Sequence, residues 1–169
     1  MDRKTYKVLM IVGLVGASLM LASFFLPQVR ITILEQGYFA SGFDLVQNKM
    51  IDDYRAGVGG NYFVGLPYQF PQFPMYWLLL LFGALSLGTP FPKDNLFRWL
   101  GILFGILGMV AAVYGYMSFS DAAATEPDWS VGIGYGLLVC VFAGGLIIFS
   151  NAVRYYLGNR GEETDTVQG

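Results

Sequence analysis

Between Lys7 and Arg30 the chain carries no charge, and from Val8 to Leu26 it is almost wholly apolar, stopping at Pro27. A run of that length matches the roughly 20 residues with which an α-helix crosses about 30 Å of hydrocarbon. Three more uncharged apolar stretches follow, so spans are predicted at residues 8–26, 73–91, 99–119 and 131–153. The second is the shortest, with an apolar centre of only Pro74 to Thr89. Charged residues make up 13% of the chain, against about 25% for a soluble domain. The expected fold class is therefore an all-α membrane protein, a single domain built as a four-transmembrane-helix bundle. The first run follows a basic start, Met1 to Lys7, but outlasts a secretory h-region and meets no Ala-x-Ala site, so it is read as a retained helix.

The basic residues orient the spans. Arg3, Lys4, Lys7, Lys93, Arg98, Arg154 and Arg160 fall on one side, and Arg30, Lys49 and Arg55 share the long loop on the other. The short segment from Ser120 to Ser130 has three acids and no base. The positive-inside rule then puts both termini in the cytoplasm of a prokaryotic cell. Trp77, Trp99 and Trp129 fall at span ends, where amphipathic rings prefer to lie. Residues 161–169 form an acidic tail, expected to be disordered.

Lipid is as apolar as leucine, so helices in a bilayer are held by close approach at small residues. The chain has 22 glycines. Gly13 and Ala17 form a small-residue stripe in the first span, Gly101, Gly105, Gly108 and Ala112 in the third, and Gly132, Gly136, Cys140 and Gly144 in the fourth. These are the predicted helix-packing residues. The third and fourth spans, with the strongest stripes and a short connection, are expected to pack together.

Residues 27–72 form a long extracytoplasmic loop. Val29 to Ile33 alternates apolar and polar residues as a strand does. Ser41 and Asp44 fit a capping box that starts a short amphipathic helix bearing Phe43, Leu45, Val46 and Met50. Beyond it lies a stretch rich in glycine, proline and aromatic residues. Tyr62, Phe63, Tyr68, Phe70, Phe73, Tyr76 and Trp77 are the expected contacts with a partner or the membrane interface.

The chemical inventory is thin. There is no histidine, one cysteine (Cys140) and no Lys, Arg, Asp or Glu inside a predicted span. Ion-coupled transport relies on such groups, and catalysis relies on positioned acids, bases or nucleophiles. No enzyme activity, metal site or cofactor is expected, and contact with a pigment or lipid would have to do without histidine ligation. Net charge is −2, which gives no reason to expect nucleic acid. The expected partners are membrane lipids and other membrane subunits, in a hetero- or homo-oligomer. The leading functional reading is a non-catalytic structural or accessory subunit of a larger membrane complex. Its alternatives are a membrane-embedded binder or carrier of lipid or another apolar ligand, and a self-assembling channel.

The first span ending in Leu26-Pro27, followed by Ser41-Gly-Phe-Asp-Leu45, resembles small four-span membrane proteins of bacteria and archaea that have no assigned function. A strand-bearing first loop over four helices is also similar to the claudin layout. The tryptophan and cysteine pair of the claudin loop are absent, so no functional residue carries over.

Overall fold

The computed structural model describes residues 3–33, 36–47, 75–92, 94–124 and 129–166. Helix α1 spans Arg3–Ser23, α2 Gly42–Gln47, α3 Met75–Gly88, α4 Asn95–Ala123 and α5 Tyr135–Thr166. Strands β1 (Pro27–Ile33), β2 (Gln36–Ser41) and β3 (Trp129–Ile133) form one antiparallel sheet in the order β2-β1-β3. Three helices are long and apolar enough to cross a membrane: α1, α4 through Asp121 and α5 through Gly158. Helix α3 is apolar but shorter, at 14 residues, or about 21 Å at 1.5 Å per residue.

The four longer helices close a ring: α1 packs on α3 and α5, and α4 packs on α3 and α5. Glycines make the approach close enough for backbone contact. A Cβ on Gly16 would stand 2.9 Å from the Ala143 carbonyl oxygen. On the α4–α5 seam the fit is reciprocal. A Cβ on Gly105 would lie 3.1 Å from the Gly144 carbonyl oxygen, and one on Gly144 would lie 3.0 Å from the Gly105 carbonyl oxygen. Gly108 meets Met20 of α1, and Ala17 and Ala112 are fully buried. Large side chains point outward instead, among them Val8, Ile11 and Val15 on α1, Ile106 and Val110 on α4, and Leu138 and Phe142 on α5. That division suits a bundle surrounded by lipid.

The sheet caps the end of the bundle where α1 stops. In β1, Val29 and Ile31 are fully buried and Arg30 is exposed, which is the expected alternation. A register break between Pro27 and Val29 places Gln28 inside as well, where its amide donates to the Ser23 carbonyl. The capping box forms as expected. The Asp44 amide donates to Ser41 Oγ at 3.1 Å, and the Ser41 amide and hydroxyl donate to Asp44 Oδ2 at 3.1 and 2.6 Å. Leu45 of α2 is buried, with Phe43 and Val46 packed beside it, and Met50 lies outside the described residues.

Three expectations need correction. Gly132 sits in β3, opposite Arg30 of β1, and not on a helix stripe. Gly136 belongs to the first turn of α5, but a Cβ there would stand 2.7 Å from the Leu26 carbonyl oxygen, so it serves the α1–β1 connection. The cause is the free edge of β1. Trp129 to Ile133 satisfies that edge as a strand, and the helix starts only after Gly134, where any Cβ would run into the Pro27 carbonyl. At the other end, α5 continues through residues 161–166, which were assigned to a disordered tail. Glu162 and Glu163 are good helix formers and no proline intervenes.

The seam geometry gives a paired test. Gly105→Leu is expected to destabilise the purified protein by about 2 kcal/mol or more, because two backbones must separate. Gly145→Ala, one residue from the seam and with open space around it, is expected to be neutral or to gain up to about 1 kcal/mol from helix propensity. Thermal unfolding in a mild detergent reads both. Equal effects would refute the seam account.

Candidate functional site

At the end of the bundle opposite the sheet, polar side chains from all four longer helices converge. Ser150, Asn151 and Arg154 share one face of α5 by their spacing. Ser86 and Thr89 come from the end of α3, Arg98 from the first turns of α4, and Tyr6 from the start of α1. Glycines make the room. A Cβ on Gly101 would collide with Asn151 Nδ2, and one on Gly13 would lie 2.8 Å from Ser150 Oγ.

Arg154 is fully buried (0% exposed). Its Nη2 donates to the Tyr6 hydroxyl at 2.9 Å and to the Pro92 carbonyl at 3.1 Å, and its guanidinium carbon stands 4.8 Å from the centre of the Tyr6 ring. The Tyr6 hydroxyl in turn donates to the Phe91 carbonyl at 3.2 Å, with the Pro90 carbonyl at 3.4 Å. The turn between α3 and α4 thus supplies a collar of carbonyl groups. Among the described residues, Nε and Nη1 of Arg154 meet no acceptor.

Arg98 is 7% exposed. Its Nη1 donates to Asn95 Oδ1 at 2.8 Å, and among the described residues its Nε meets no acceptor. The guanidinium lies against Gly158, one helical turn beyond Arg154, where a Cβ would collide with Nη1. Arg98 therefore reaches the same stretch of α5 that carries Arg154. Among the described residues no carboxylate pairs with either. A guanidinium cannot discharge by losing its proton, so two like charges are held out of water with part of their hydrogen-bonding capacity unused. Burial of that kind costs several kcal/mol unless it is compensated.

Asn151 Nδ2 donates to the Ile147 carbonyl at 2.9 Å, Ser150 Oγ to the same carbonyl at 3.1 Å, and Thr89 Oγ1 to the Ser86 carbonyl at 2.9 Å. Asn151 Oδ1 and Ser86 Oγ have no partner among the described residues. None of these polar residues was a predicted site residue, and Arg98 and Arg154 were counted only among the basic residues that orient the spans. A visible signal did exist. Ser150-Asn151-x-x-Arg154 puts three polar groups on one face of an otherwise apolar helix.

The predicted partner-contact residues divide. Tyr62, Phe63, Tyr68, Phe70 and Phe73 lie outside the described residues. Tyr76 is not a surface contact. It is fully buried, with its ring against Gly115 of α4, because that glycine leaves a slot one ring wide. Trp77 is 46% exposed and joins an aromatic cluster at the sheet end, 5.6 Å from Phe24, which also meets Phe25 and Phe43. Among the described residues no three of His, Cys, Asp and Glu gather as metal ligands. No protein-family model, curated protein or solved structure matches the chain.

Two substitutions at Tyr6 separate its two services to Arg154. Tyr6→Phe keeps the ring but removes the hydroxyl, and is expected to lower stability by about 1–2 kcal/mol. Tyr6→Leu removes the ring as well, with a further loss of about 1 kcal/mol. Wild-type unfolding temperatures for both variants would show that Arg154 does not depend on Tyr6.

Proposed function

We propose that the protein is a non-catalytic, four-span structural or accessory subunit of a larger membrane complex, with both termini in the cytoplasm and the sheet end as its contact surface. The observation that carries this reading is the rigid platform at that end. Strand β1 ties the exit of α1 to the entry of α5 through β3, and large aromatic residues remain exposed around it. Phe25 is 61% exposed, Phe39 56% and Tyr135 53%. Apolar groups displayed on an ordered cap suit contact with a neighbour. The glycine seams are used inside the bundle, so the neighbour would meet large side chains and the sheet. Helix α3 completes the fourth span with the turn that follows it, since both of its packing partners are long enough to cross.

The test of role is recovery of a tagged copy from native membranes in mild detergent, followed by mass spectrometry. A larger complex in fixed stoichiometry is expected, weakened by Phe39→Ser. Recovery alone or with lipid only would overturn the reading in favour of a lipid binder. The test of orientation is labelling of single cysteines in a Cys140→Ala background. An impermeant maleimide is expected to reach Gly37→Cys in intact cells and Thr5→Cys only after lysis. The reverse pattern would invert the topology.

A further inference from the structure

We propose that Arg98 and Arg154 form a binding site for a phosphate-class oxyanion at the end of the bundle opposite the sheet, where α1 begins. The site holds whether or not the protein is an accessory subunit. Three observations converge on it. The two side chains are 7% and 0% exposed, so their charges are not dispersed into solvent. Arg154 Nε and Nη1 and Arg98 Nε are buried donors with no acceptor among the described residues. The contacts that are made hold the guanidiniums in place without neutralising them: the Tyr6 hydroxyl, the Pro92 carbonyl and Asn95 Oδ1 are all uncharged.

A tetrahedral oxyanion corrects both deficits at once. It balances the charge of the buried guanidiniums and supplies several acceptors to edges whose planar donors suit phosphate. The bonds would run from N–H donors of known position to anionic oxygens, in a setting where charge-assisted bonds are strong. The turn of residues 90–92 lies over Arg154, with its Pro92 carbonyl on the guanidinium and Phe91 at the surface. A free phosphate and the phosphate of a lipid headgroup offer the same chemistry there.

The full chain, delipidated in an uncharged detergent, is titrated with inorganic phosphate at constant ionic strength and, separately, with dioleoyl phosphatidic acid against a diacylglycerol control. Thermal unfolding and native mass spectrometry read binding. Stabilisation by both probes supports the site and identifies an open one. Stabilisation by phosphatidic acid alone supports it and identifies a headgroup site. In either case Arg98→Gln is expected to weaken binding about tenfold or more, the loss of one charge-assisted contact, and Arg98→Lys to weaken it less. Arg98→Gln carries the test if Arg154→Gln does not fold. The proposal is overturned if neither probe stabilises the wild type, or if Arg98→Gln responds as the wild type does. Binding that appears only after residues 161–169 are deleted would also overturn it, because the acidic C-terminal segment would then be the native counter-charge.

Discussion

The backbone contact between Gly105 of α4 and Gly144 of α5 sets the spacing on which the rest of the bundle depends. A Cβ on Gly105 would stand 3.1 Å from the Gly144 carbonyl oxygen, and one on Gly144 3.0 Å from that of Gly105. With those two axes so close, Met20 of α1 fits against Gly108, and Gly16 can reach the Ala143 carbonyl. Dispersion contacts and close approach, not water exclusion, are what hold helices in lipid. The outward faces can then be bulky and uniform, since they need only match acyl chains.

The same closeness seals the polar end. Asn151 lies beside Gly101, and Ser150 beside Gly13, so amide and hydroxyl groups sit between helices where larger residues would exclude them. Arg154 is one turn further along the same face. A charge in that position would ordinarily extend its side chain to the headgroup layer. Here Tyr6 and the carbonyl groups of residues 90–92 close over it. The opposite end is sealed by a different device, a sheet whose central strand buries Val29 and Ile31 against the helices.

Uncharged runs and glycine spacing made the helices legible in the sequence, because a bilayer permits few alternatives for such runs. The capping box at Ser41 and Asp44 and the alternation at Val29 and Ile31 were legible for the same local reason. What stayed hidden was non-local. Nothing near Ser130 indicates that it lies opposite Thr32 of a strand about a hundred residues earlier, so Gly132 was grouped with the helix that follows. Tyr76 reads as an interfacial ring until Gly115 is known to face it.

Arg98 and Arg154 show the limit most clearly. Counted by charge they are two more positive residues at span ends, like Lys7 or Lys93, and only the Ser150-Asn151-x-x-Arg154 spacing sets Arg154 apart. Their burial depends on where the turn between α3 and α4 lies, and on Gly158 being bare enough to let a guanidinium rest against α5. A positive-inside count treats every base as a solvated charge. These two differ physically, because a guanidinium enclosed with unused donors has a free-energy requirement that water at the surface cannot meet. The seams that hold the bundle together also create that requirement, by drawing α1, α4 and α5 close enough to shut solvent out.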